Sequence, residues 1–419
     1  ESEFVGYDET WCETEILRYR KIKQKNKEFY QIVLKKTPFY AEMGGQVGDS
    51  GVLSLLNPQH GDFADCKIAI IDTKRENNLI VHLAEKLPFA LENTPFDRWK
   101  ASINVEKRRA TQRNHTATHL LHEALREALG THVEQKGSYV SPDNLRFDFS
   151  HFQKLTKEEI RKVEHIANER IRNNFQLQER RNTPIAEARE MGAMALFGEK
   201  YGETVRVIKF GSSVELCGGT HVGSTGEIGM VKIISESSIA AGIRRIEAIT
   251  GEAIENLLDT MQDKIADIQD FVGNAPDLRA ALKKVFDENS ELRRQTEEFV
   301  QKQLAEFAEN LLAKAEEKDG ITVVKYITKI PAEQAKTLAF QLRQKQSEKL
   351  RVVIGSVSDG KPSLTILLSD DLVHAGESAV TLIREAAKHI QGGGGGQPFF
   401  AQAGGKNADG VEKAINSIF

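Results

Sequence analysis

Three cysteines in 419 residues, Cys12, Cys66 and Cys217, are too few and too scattered for a disulfide framework. So few thiols fit a reducing compartment, and the cytoplasm is the expected one. The chain has no run of about 18 uninterrupted apolar residues, so neither a transmembrane helix nor a membrane partner is expected. Its opening residues, ESEFVGYDET, lack the basic segment followed by an apolar one that marks a secretory leader, and they read as a chain that begins mid-protein. Nor does one sign of charge dominate. The net charge of -4 excludes little, because a nucleic-acid-binding face is local and a balanced chain can still carry a basic stripe.

With 40% hydrophobic and 28% charged residues the composition is that of a soluble globular protein, and 419 residues exceed what one core organises. Residues 1–100 read as strands (EFYQIVLKKTPFY, DCKIAIIDT, NLIVHLAE) between turn-forming clusters, and a β-barrel is the expected closure. From Asn104 the apolar spacing turns helical and ends at Gly130. Beyond it YVSPDNLRFDFSH alternates as a strand, with Leu145, Phe147 and Phe149 on one side. Thr156 and Glu159 have capping-box spacing before a second helix, IAEAREMGAMALFGEKYG reads as helix then turn, and TVRVIKFG, GMVKIIS and IRRIEAIT read as strands. This is an α+β domain over 101–250. A heptad seam, Ile254, Leu258, Met261, Ile265, Ile268 and Val272, breaks at GNAP and resumes with Leu278, Leu282, Val285 and Leu292, which predicts a helical hairpin over 251–318. Residues 319–419 alternate strands with helices, a small α/β domain, and the five glycines of QGGGGGQPFFAQAGG are expected in a surface loop.

The chemistry concentrates in two places. HTATH puts His115 and His119 four apart on a helix, on one face. CGGTH puts Cys217 and His221 on a turn whose glycines let both side chains converge. Three imidazoles and a thiolate form a donor set for zinc, Zn(2+), whereas His122 lies in another helical direction. Whether His221 binds or stands behind the ligands is open at this stage, as is a structural against a catalytic role. A zinc peptidase is excluded, because Thr116 stands where HExxH carries its glutamate. Gly44, Gly45 and Gln46 form either a tight turn or a backbone platform for a ligand, and Gln135 is either a surface amide or one aimed into the site. Lys107, Arg108, Arg109 and Arg113 either track phosphates or form a solvated face. Of Arg244 and Arg245, on an alternating strand, one is expected to point outward and the other to pair with an acid.

With HTATHLLHEAL, QKGSYV, LRFDFSH, GAMALFGEKYG, ELCGGTHV and GIRRIEAITG in this order, the chain resembles the C-terminal half of a bacterial alanyl-tRNA synthetase. The resemblance implies an editing domain that hydrolyses tRNA(Ala) mischarged with serine or glycine. Residue by residue, His115, His119, Cys217 and His221 match the zinc motifs. Gln135 matches a glutamine beside the editing pocket, and Thr118 matches the hydroxyl residue that senses the substrate side chain. Gly44 and Gly45 match a glycine-rich loop that influences editing. It also implies an RNA-contacting C-terminal domain with Gly394 and Gly395 among its contacts, and a possible homodimer through that region. The family's N-terminal aminoacylation domain, with its ATP and alanine sites, has no counterpart in these motifs. The chain is thus expected to be a fragment of a synthetase lacking ligase activity, or a free-standing editing protein of the long kind. A non-catalytic tRNA-binding module with structural zinc is the alternative from another class.

Overall fold

The computed structural model describes residues 2–24, 27–56, 66–87, 98–194 and 202–419. It divides into two compact units, Glu1–Asp267 and Ile268–Phe419. In the first, Trp99–Ile103 turns Trp99, Ala101 and Ile103 inward and pairs antiparallel with both Trp11–Thr14 and Gly51–Leu55. A second four-stranded sheet runs in the order Ile16–Gln24, Lys27–Leu34, Leu79–Ala84, Asp72–Glu76. Where a single barrel is expected, the described residues form a short parallel pair, Glu3–Phe4 with Lys36–Thr37, and two four-stranded sheets. The chain passes from one to the other at Glu15 and Ile71, and such one-residue breaks let a strand bend around a corner. Both sheets contribute to one core, which holds Ile32, Leu34, Phe39, Leu53 and Trp99.

Helix α1, Val105–Leu129, starts where the Asn104 side chain accepts the Lys107 N–H, and stops where Gly130 takes φ 120°. Helix α2, Lys157–Arg172, opens on the Thr156/Glu159 capping box in both directions. Both helices pack on a sheet ordered Gln135–Val140, Leu145–Ser150, Ile243–Thr250, Val231–Ala240, whose Leu145, Phe147 and Phe149 are fully buried among them. Arg244 pairs with Glu236 and Arg245 with Asp148, so both arginines, not one, are spent on neighbouring acids. After the short helix α3, Ile185–Glu190, residues 195–201 of the GAMALFGEKYG motif lie outside the described residues. A three-stranded sheet follows, Gln178–Pro184, Thr204–Phe210 and Ser213–Leu216, the last strand running into Cys217.

The GNAP break separates α4, Glu252–Phe271, from α5, Leu278–Leu312. Leu258, Met261 and Ile265 of α4, and Val285 and Leu292 of α5, are exposed. The end of α5 buries Leu304 and Ala308 against α6, Ala332–Lys345, on one face of a six-stranded sheet. A second core, with Ile383, Ala386 and Ile415, fills the other face. The glycine run is not a loop: Gly393–Gln397 is an edge strand antiparallel to Phe400–Gly404. A Cβ added at Gly394 would come 2.4 Å from Ala403 Cβ, while Gly393 and Gly395 face open space. Close backbone approach explains why a strand there tolerates, and at Gly394 requires, glycine.

Candidate metal centre

Helix α1 and the turn after Ser213–Leu216 bring His115, His119, Cys217 and His221 together, with one ligand atom from each lying within 4.8 Å of the others. Cys217 Sγ is 3.4 Å from His115 Nε2 and 3.3 Å from His221 Nε2. A tetrahedron with zinc–sulfur and zinc–nitrogen bonds of usual length has such an edge at about 3.5 Å. Burial, then the neighbouring imidazoles and Arg206, holds His115 and His221 well below the usual histidine range. Burial also lowers His119, against the opposing pull of Glu215. Near neutral pH the three imidazoles are therefore uncharged, the form that offers a lone pair to a cation.

The groups behind the ligands are as ordered as the ligands. Gln46 Oε1 is 2.8 Å from His115 Nδ1, and Thr116 Oγ1 is 3.1 Å from His221 Nδ1. Arg206 donates to the carbonyls of Cys217 (3.0 Å) and Gly219 (2.6 Å) and lies 4.0 Å over the Tyr7 ring, whose hydroxyl donates to Gly218 O. The turn's three successive carbonyls, of Cys217, Gly218 and Gly219, are thereby held by one guanidinium and one phenol. Gly219 has no room for a side chain, since its Cβ would stand 2.0 Å from His115 Cε1.

A cavity of about 90 Å³ opens on three of the four, His115, His119 and Cys217, walled by Tyr40, Met43 and Gly44 on one side and by Thr118, Gln135, Ser138 and Glu215 on others. Thr118 Oγ1 donates to Asn114 O at 2.9 Å, which leaves its lone pairs for a donor in the cavity. Gln135 Nε2 donates to Ser138 Oγ at 3.3 Å. Gly44, in the left-handed region at φ 59°, lines the cavity. Gly45, at φ 83°, packs behind it against Ser138, and Gln46 is wholly buried. Gly394 and Gly395 belong to the second unit and take no part in this cavity. Arg108, read as a candidate phosphate contact, is buried against Asp49 instead, leaving Lys107 and Arg109 exposed on that helix.

Sequence reasoning missed Glu215. Its carboxylate is buried 3.5 Å from His119 Nε2 and 3.1 Å from His122 Nδ1. Burial alone would raise its pKa, but the neighbouring His119 and the bond from His122 outweigh that and hold it below the usual glutamate value. The one signal was a lone acid between Val214 and Leu216 in the strand SVEL, directly before the cysteine motif. His122 takes no place in the quartet, as its helical direction implied, and supports Glu215 instead.

The part of the chain that carries the cysteine half of this quartet is similar to an accessory domain of aminoacyl-tRNA synthetases. Residues 205–247 match the family described as the threonyl and alanyl tRNA synthetase second additional domain, residues 1–95 match tRNA synthetases class II (A), and residues 319–419 match the DHHA1 domain. Along its whole length the chain corresponds to the C-terminal half of the alanyl-tRNA synthetases. It is 57% identical over 417 residues to the alanine–tRNA ligase of Bacteroides fragilis (strain YCH46), covering 100% of this chain and 46% of that protein. With that of Porphyromonas gingivalis (strain ATCC BAA-308 / W83) it is 54% identical over 419 residues, covering 100% and 47%. The chain thus spans about half the length of the curated relatives it matches. Among solved structures, the C-Ala domain from Aquifex aeolicus alanyl-tRNA synthetase is 30% identical, covering 25% of this chain and 93% of that one, at a TM-score of 0.23.

Proposed function

We propose that this chain hydrolyses the ester of tRNA(Ala) mischarged with serine or glycine, at a zinc centre formed by His115, His119, Cys217 and His221. The observation that carries the reading is the cavity of about 90 Å³ that joins His115, His119 and Cys217 of this quartet to Thr118 and Gln135. A space of this size suits a small aminoacyl group. One thiolate and three imidazoles suit zinc over harder cations. When bound by all four, such an ion would have no open position, and it would supply a positive charge beside the ester that helps to position it.

The chain's own residues do the rest. Thr118 accepts a hydrogen bond from the serine hydroxyl. An alanyl group leaves that oxygen unpaired, which costs about 1–3 kcal/mol. Glycine lacks the hydroxyl too, so its removal rests on size alone. Glu215 offers an anionic wall to the substrate ammonium. Gln135 orients a water whose oxygen bonds to the carbonyl carbon; the bond to the ribose oxygen breaks and a proton from that water passes to the ribose oxygen, giving free amino acid and uncharged tRNA. The C-terminal domain, with the bare edge strand at Gly394 and Gly395, contacts the tRNA and is the place for a dimer contact. Alanine activation with ATP belongs to an aminoacylation domain outside this sequence.

The test is release of serine from seryl-tRNA(Ala) by the purified chain, beside alanyl-tRNA(Ala) and a metal-stripped control. Serine-selective, metal-dependent release is expected. A folded, zinc-loaded chain that releases nothing would leave a tRNA-binding module with structural zinc.

A further inference from the structure

The centre draws one of its supports from outside the domain that carries its ligands. Gln46 lies 69 positions before His115, in the loop between Tyr40 and Asp49, and its side chain is wholly buried. The loop is fastened to the ligand-bearing domain on three sides. Val140 N donates to Gly45 O at 2.8 Å and Val47 N to Val140 O at 3.0 Å, which pins the backbone on either side of Gln46. Asp49 is paired with Arg108, two turns before His115 on α1. Gln46 itself grips the metal turn, with Nε2 donating to Thr220 Oγ1 at 2.9 Å and Oε1 accepting from Thr220 N at 2.8 Å.

That last bond settles which way the amide faces. A backbone N–H only donates, so the Gln46 atom before it is the oxygen. The same oxygen faces His115 Nδ1 at 2.8 Å, so Nδ1 must carry the proton. Nε2 is left with its lone pair, and it is the atom turned toward Cys217 Sγ at 3.4 Å. We propose that Gln46 is a positioning residue for the metal, locking His115 as the Nδ1–H tautomer, so that the centre's affinity depends on a loop outside residues 101–250. The inference rests on the metal reading of the quartet and does not need the hydrolytic one. An imidazole whose remote nitrogen has lost such a partner is free to turn or to take the wrong tautomer, and partners of this kind are worth roughly ten- to a hundredfold in metal affinity.

Two measurements on the full chain test it. The first is zinc affinity, by competition with a chromophoric chelator, for the unaltered chain, Gln46→Leu and Gln46→Glu. Gln46→Leu is expected to weaken zinc about ten- to a hundredfold and to dim the visible bands of the cobalt-loaded centre. Gln46→Glu, which keeps the acceptor oxygen, is expected to stay within a few fold. Equal affinity and equal cobalt spectra in all three would overturn the proposal, as would an unaltered chain that binds no zinc. The second needs no substitution and answers the question even if Gln46→Leu does not fold. In the metal-free chain, the histidine ¹⁵N signals should show His115 as the Nδ1–H tautomer, and an Nε2–H tautomer would overturn the proposal. A chain that releases no serine but loses zinc with Gln46→Leu would sink the hydrolytic reading and leave this one standing.

Discussion

Arg108 and Asp49 form a buried ion pair in which the arginine Nε lies 3.0 Å from both carboxylate oxygens. The same guanidinium donates to the carbonyls of Gly6 (2.7 Å) and Pro38 (2.9 Å), and Asp49 also accepts the Tyr40 N–H at 2.7 Å. Every charge in this clamp is therefore met, and it joins the helix bearing His115 to the β-rich domain. Arg108→Leu leaves a buried carboxylate without its cation and is expected to cost about 3–5 kcal/mol in denaturant unfolding. Adding Asp49→Asn should recover part of that. A loss below about 1 kcal/mol for the single change would show that the pair clamps nothing.

The quartet predicts a single equivalent of zinc per chain. Because His221 points Nε2 at Cys217 Sγ, 3.3 Å away, and Nδ1 at Thr116, it is expected to ligate directly and not to stand behind the ion. Cys217→Ala and His221→Gln should each weaken zinc by more than the ~100-fold that loss of an outer partner brings. Both should also lower the thermal midpoint of the zinc-loaded chain toward that of the stripped one, since the ion binds only the folded form. His221→Gln with unchanged affinity would move His221 out of the ligand set.

Thr118 supplies the one hydroxyl oxygen on the helix wall of the cavity, already oriented by its bond to Asn114 O. Thr118→Val keeps the shape and removes the acceptor. Hydrolysis of the seryl ester should fall about ten- to a hundredfold, while the already slow alanyl reaction stays put, so that selectivity collapses. A parallel loss on both substrates would mean that Thr118 holds the helix and reads nothing.

The two halves of the centre were legible because each is local: HTATH shares a helix face, and CGGTH is a glycine turn. Capping at Thr156 and the one-sided Leu145, Phe147, Phe149 strand were legible for the same reason. What sequence could not show was long-range or depended on register. Gln46 reads as a turn residue until the fold brings Thr220 to it, and Glu215 looks like a stray acid until His119 and His122 face it. The glycine run misled because conformational freedom argues against a strand, and only its pairing with Phe400–Gly404 shows what small residues are for there.

Gly44 and Gly45 look equivalent in sequence, and the structure separates them. Both have positive φ, 59° and 83°, but a Cβ at Gly44 meets nothing within 4 Å, whereas at Gly45 it would stand 2.4 Å from Ser138 Oγ and 2.6 Å from Ser138 O. Gly44→Ala should cost only the left-handed backbone penalty, about 1 kcal/mol. Gly45→Ala must also push the loop off Gln135–Val140, so it should cost at least twice as much and weaken zinc as well, because Gln46 moves with it. Equal losses from the two changes would contradict the packing behind the cavity.

His82 sets an acid limit on the β-rich domain. Its Nδ1 donates to Ile32 O at 3.0 Å, its Nε2 accepts from the Thr37 hydroxyl at 2.8 Å, and full burial pulls its pKa from 6.5 to about 4. The unfolded chain therefore takes up a proton as pH falls through 6.5, while the folded chain does not until about 4, so stability is complete above 6.5 and drains away between those values. The full loss is about 3 kcal/mol. Buried His115 and His221 drive stability the same way, so the informative quantity is a difference, read in metal-free protein. His82→Gln, which removes the titration, should unfold more easily at neutral pH, yet show a shallower decline from pH 6.5 toward 4 than the unaltered chain. Parallel declines would mean that His82 takes up its proton in the folded state and that its two hydrogen bonds do not hold the neutral ring.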